Sequence, residues 1–155
     1  MISFRLVKEE DINLVFDWAN DELTRLNSYN SDKIDFANHA KWFESQLKST
    51  NSQILIFELG LKPVGMVRFS TSEDETVIGI TIDKAFRGQS IGYKILIEAC
   101  NYYHSHYPDR TITAYIKKEN IASINSFQKA GFTFATEKEI KGCPSMVYIK
   151  TKELK

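Results

Sequence analysis

Ile2, Phe4 and Leu6 alternate with Ser3 and Arg5 at the start of the chain, the period of a half-buried strand. Lys8-Glu9-Glu10-Asp11 then opens an acidic helical turn, and Ile12, Val15, Phe16 and Ala19 recur at helical spacing. A polar stretch covers residues 20–33. Asp35 is placed to cap a second helix whose buried stripe is predicted as Phe36, Ala40, Phe43 and Leu47, with His39 and Trp42 sharing a neighbouring face.

From Gln53 the period changes. Ile54 to Phe57 is a short apolar run, Lys62-Pro63 is expected to mark a turn, and Val64 to Ser70 completes a hairpin. The acidic loop Ser72 to Glu75 leads to a third strand, Val77 to Ile82. The segment Arg87-Gly88-Gln89-Ser90-Ile91-Gly92 follows, and Ile91, Ile95, Leu96 and Ala99 give the next helical stripe. Thr111 to Ile116 reads as a strand, Asn120 as the cap of a helix carrying Ile121, Ile124 and Phe127, and Gly131 suits its C′ position. Phe132 to Glu139 and Met146 to Lys150 close the chain as strands. The fold class is α/β (α+β): one mixed sheet with helices on both faces, antiparallel early and containing a strand–helix–strand crossover.

Composition narrows the function. With 155 residues and 43% hydrophobic content, the chain is expected to form one domain over 1–155. Twenty basic residues balance twenty acidic ones, so nothing in the charge points to nucleic acid or a membrane surface. Cys100 and Cys143 form no CxxC pair and have no His cluster beside them, so neither a metal site nor a redox motif is expected. Reduced thiols, and no apolar run long enough for a signal peptide or membrane span, point to the cytoplasm.

A Gly-containing loop that opens a helix gathers backbone N–H groups at the positive end of the helix dipole, which makes an anion site. Gly92 is followed by Tyr93-Lys94, so this is not a Walker A loop, and the Rossmann spacing is absent too.

Arg87 to Gly92 resembles the pyrophosphate loop of the GNAT family of acetyl-CoA-dependent N-acetyltransferases, which reads Gln or Arg, two residues, Gly, one residue, then Gly or Ala. Ser90 replaces the first of those two glycines, and its hydroxyl is expected to cap the helix and add a donor to the phosphate. Asn120 to Phe132 is similar to a second family block, an Asn opening a short helix that ends in Gly-Phe. The resemblance covers nearly the whole chain. It implies a mostly antiparallel twisted sheet of six to seven strands, acetyl-CoA as cosubstrate and no metal. It also implies a parallel strand pair that splays, with pantetheine lying in the gap against the backbone of Ile80, Thr81 and Ile82. Asn120 would bond the cofactor arm and Phe127 would lie beside the thioester or simply in the core.

Direct transfer needs an acceptor for the amine proton and a donor for the departing thiolate. The family positions for the acid and the base hold Phe127 and Tyr115, and the Glu often found near Val77 is missing, the nearest being Glu75. The reading is Tyr115 as thiol acid, with Glu75, His39 or a water accepting the amine proton. An α-amine of pKa near 8 pays about 1.4 kcal/mol for deprotonation at pH 7, against about 4.6 for a lysine near 10.4, so a weak base favours the former.

The N-terminal region is similar to the subgroup that acetylates UDP-linked amino sugars, of the pseudaminic-acid pathway type, which borders the ribosomal-protein N-terminal acetyltransferases. Arg25 would pair with a diphosphate, His39 with sugar or phosphate, and Tyr29 or Trp42 would face a ring. A structural role is the competing reading for each. The expected activity is acetyl transfer to the amine of a nucleotide-linked amino sugar, by a monomer or homodimer. A protein or peptide N-terminal acetyltransferase is the second reading and predicts an open acidic groove in place of a closed basic pocket around Arg25. A non-catalytic acyl-CoA-binding domain is the third.

Overall fold

The computed structural model describes residues 1–152. Seven strands form one sheet: β1 (Ile2–Leu6), β2 (Ser52–Leu59), β3 (Lys62–Thr71), β4 (Thr76–Ile82), β5 (Ile112–Lys117), β6 (Thr133–Ile140) and β7 (Cys143–Lys150), in the spatial order β1-β2-β3-β4-β5-β7-β6. Every neighbouring pair is antiparallel except β4 and β5. Five α-helices accompany them: α1 (Ile12–Ala19), α2 (Glu22–Asn27), α3 (Phe36–Lys48), α4 (Ile91–His106) and α5 (Ile121–Lys129).

Period-two alternation sorts the strand residues onto two cores. Leu55, Phe57, Val67, Phe69, Ile78 and Ala114 face α4 and α5, while Ile54, Ile56 and Met66 face α1 and α3 with Val15, Trp18 and Phe43. Helices therefore cover both faces, as the sequence predicts. Arg5, on the α1 side of β1, reaches Asp11 through two hydrogen bonds of 2.7 and 2.9 Å and ties the first strand to the helix that follows.

Four local expectations shift. The β2–β3 turn is Gly60-Leu61, with Gly60 at φ +64°, and Lys62-Pro63 already belong to β3. The polar stretch contains α2, whose short length and exposed Leu23 and Leu26 hide it from any periodicity argument. Asp21 caps it, accepting from the Thr24 N–H at 3.2 Å. The buried face of α3 is rotated: His39 and Phe43 are buried, whereas Phe36 and Leu47 are 45% and 37% exposed. The final strand starts at Cys143, because Lys141 and Gly142, at φ +48° and +78°, form a tight reversal that lets it pair with β6 sooner.

Candidate active site

β4 and β5 are paired at only two positions, Thr76 with Ile112 and Val77 with Thr113. Beyond Val77 the two strands diverge, although β4 stays fully paired to β3 as far as Ile82. The backbone groups of Gly79, Ile80, Thr81 and Ile82 that point away from β3 thus face a notch in the middle of the sheet. Glycine is required at the neighbouring Gly65, where a Cβ would stand 2.7 Å from the Thr81 carbonyl oxygen and 3.1 Å from Ile82 Cδ1.

The loop after β4 ends at the N-terminus of α4. Gly88 takes φ +76° and Ser90 takes φ +58°, so the position where the family pattern has glycine is indeed left-handed here. Ser90 makes no side-chain cap, contrary to expectation: in this conformation its hydroxyl is not aimed at the first helical N–H groups. Those donors are left to an external acceptor. Gln89 bonds the Ala85 carbonyl at 3.3 Å, and Arg87 turns away from the loop to donate to Asp21 at 2.5 Å and to the Ile82 carbonyl at 3.1 Å. Gly92 faces α5, where a Cβ would lie 3.1 Å from Ser126 Oγ. Loop and second motif block are thus packed together. Asn120 caps α5 through Oδ1, accepting from Ser123 N–H at 3.3 Å, and its amide NH₂ is uncommitted. Phe127 is 3% exposed and packs edge-to-face on Phe132 at 4.9 Å, a core position.

Tyr115 and Glu75 meet. Each lies two residues from the last β4–β5 pair and on the same face of the sheet, and the Tyr115 hydroxyl donates to Glu75 Oε2. This bond to a carboxylate, with partial burial, pushes the Tyr115 pKa up to about 12. Lys138 lies 5.7 Å from the Tyr115 ring.

His39 is elsewhere. It is 1% exposed, its Nε2 sits 3.0 Å from the Ile12 carbonyl, and it stacks on Phe43 at 5.8 Å. Burial holds its pKa below the ordinary value, and the structure gives it no path to an amine. Arg25 is likewise committed within its own segment, donating to the carbonyls of Ala19, Asn30 and Asp32 and to Ser28 Oγ. Trp42 is half-buried against the α1–α3 core. Tyr29 does approach the site. Its hydroxyl donates to Ser145 Oγ at 2.6 Å, and Lys117 Nζ stands 5.9 Å from its ring.

Two features escape sequence reading. One is that α2 bridges the notch: Asp21 is held by Arg87 on the β4 side, and the Leu26 carbonyl accepts from Lys117 of β5 at 3.0 Å. Between α1, α2 and the end of β4 lies a cavity of about 700 Å³, whose lining includes Asp17, Asp21, Glu22 and Asp83 against Lys84 and Arg87. Asp83 accepts from the Trp18 indole at 2.9 Å. The other is Arg68, an arginine inside the apolar run Val64 to Phe69, whose guanidinium lies 5.3 Å from the Trp42 ring.

A notch between two parallel strands, beside a helix N-terminus with free donors, is the arrangement that the resemblance to acetyl-CoA-dependent transferases implies. A match to the acetyltransferase (GNAT) domain spans residues 2–133, and the chain belongs to that family of acyltransferases. It is 26% identical to the uncharacterized N-acetyltransferase YfmK of Bacillus subtilis (strain 168) over 134 residues, 84% of either chain. Its fold is similar to the spermidine N-acetyltransferase of Vibrio cholerae in complex with CoA and spermine, with a TM-score of 0.87 and 12% identity, covering 96% of this chain and 94% of that one. It also resembles the aminoglycoside acetyltransferase AAC(6')-Ib in complex with coenzyme A, with a TM-score of 0.83 and 16% identity over 97% and 95% of the two chains.

Proposed function

We propose that the protein transfers an acetyl group from acetyl-CoA directly to the primary amine of a small molecule. The observation that carries this reading is the splay of β4 from β5 beside the uncapped start of α4. Pantetheine would lie along Gly79 to Ile82, with the pyrophosphate on the α4 N-terminus and the free amide of Asn120 toward the cofactor arm. When bound, acetyl-CoA supplies the activated acyl group. Glu75 accepts the proton of the attacking amine, the N–C bond forms as the C–S bond breaks, and CoA leaves as the thiolate. The Tyr115 hydroxyl donates to the Glu75 carboxylate, the bond that pushes its own pKa up to about 12. Its role is to orient Glu75; the thiolate, of ordinary pKa about 8.5, departs as the anion and is protonated by buffer acid after release.

The acidic lining beside α2 attracts a protonated amine. With Arg25 bound to its own segment, a nucleotide-linked amino sugar loses the diphosphate partner assigned to it, so the reading becomes a small amine, amino sugars included. A peptide N-terminus is the second reading, favoured by the same acidic cavity. Thiol release from acetyl-CoA across amino sugars, polyamines, amino acids and peptides, with the mass gain of one acetyl group on the product, tests both. Binding of acetyl-CoA with no transfer to any amine would favour the non-catalytic reading.

A further inference from the structure

We propose that Arg68 anchors a carboxylate or phosphate on the acceptor, so that the preferred substrates are small amines carrying a negative group. This rests on the acetyltransferase reading and deepens its acceptor side. Arg68 sits in mid-strand between Val67 and Phe69, which are 0% and 1% exposed on the opposite face. Its register partner across the ladder is Gly79, so both residues face the α1–α3 side of the sheet. There a Cβ on Gly79 would meet nothing within 4 Å, so the face of β4 beside Arg68 is open above Gly79.

The other four arginines are all engaged: Arg5 with Asp11 and Glu58, Arg25 with three carbonyls and Ser28, Arg87 with Asp21, and Arg110 with the Tyr103 hydroxyl. Among the described residues no carboxylate pairs with Arg68, and its one close partner is the Trp42 ring. Burial works against its charge, with no anionic partner among the described residues to favour it. An apolar side chain would pack here at lower cost. What arginine adds is a fork of five donors matched to a planar carboxylate or a phosphate, stiffened by stacking on tryptophan.

Cofactor phosphate is not the intended partner, because α4 and its N-terminus cover the opposite face of the sheet. On the acceptor face, Arg68 stands on β3 and Tyr115 on β5, with β4 and the notch between them. Glu75 therefore receives the amine end and Arg68 the anionic end of a compact molecule.

Matched pairs test this: glycine against glycinamide for carboxylate, and glucosamine 6-phosphate against glucosamine for phosphate. Binding to protein saturated with desulfo-CoA is measured by calorimetry, and kcat/KM by thiol release. The wild-type protein is expected to favour the anionic member of at least one pair by tenfold or more, and the pair that shows it identifies the group. Arg68→Gln should erase that ratio at least tenfold, and Arg68→Lys should retain part of it. Preference for the neutral member in both pairs, or a ratio unchanged in Arg68→Gln, overturns the proposal. The wild-type comparison needs no variant to fold. Absence of turnover with discriminating binding would instead count against the transferase reading while upholding Arg68.

Discussion

Ser90→Gly separates two ways of holding the cofactor pyrophosphate. Ser90 lies at φ +58° with no side-chain cap, in a conformation that costs an L-residue about 1–2 kcal/mol. Glycine removes that cost but adds about 0.4–1 kcal/mol of unfolded-state freedom. The net expectation is stabilisation of about 0.5 kcal/mol, or a Tm rise of roughly 1–2 °C for a domain of this size. Ser90→Ala keeps the strained backbone and removes the hydroxyl, so it should gain nothing. If backbone N–H groups and the α4 dipole carry the anion, both variants bind CoA within about threefold of wild type by calorimetry. If the Ser90 hydroxyl is a phosphate donor, both lose about 1.5–3 kcal/mol, roughly 10- to 100-fold. A tenfold loss in both variants, or a fall in Tm for Ser90→Gly by differential scanning, would refute the backbone argument.

Glu75→Gln should lower kcat by about 10²–10⁴-fold, whereas Tyr115→Phe should cost less, since it removes only the donor that orients the carboxylate; equal losses in a steady-state thiol-release assay would restore Tyr115 as the acid. Gly65→Ala sets a methyl against the Thr81 carbonyl, so we expect about 1–3 kcal/mol of destabilisation by urea unfolding and weaker CoA binding from a distorted β4. Asp11, held below its ordinary pKa by its hydrogen bonds from Arg5, contributes stability that is present above pH ~4 and is lost as pH falls through its folded value. Asp11→Asn should cost about 2 kcal/mol at pH 7, and its gap from wild type should narrow toward pH 3.

Local signals were legible wherever a residue acts through its own backbone. The left-handed Gly88, the cap at Asn120, Gly131 after α5 and the order of strand, loop and helix are all readable because each is decided within a few residues. On that basis the family and the sheet with helices on both faces could be inferred from the chain alone. The sequence could not say which of several polar side chains meet. His39 and Arg25 have the chemistry of a base and an anion binder, yet long-range packing spends one inside an aromatic cluster and the other on carbonyls of its own segment. Arg68 stands inside a strand that the sequence marks only by its apolar run, and its register with Gly79 sets it on the α1–α3 face. Glu75 and Tyr115 lie forty residues apart, and two rungs of parallel pairing bring them together. Period and capping are properties of neighbours along the chain, while a site is a property of neighbours in space; here only the closure of the sheet around β4 and β5 determined them.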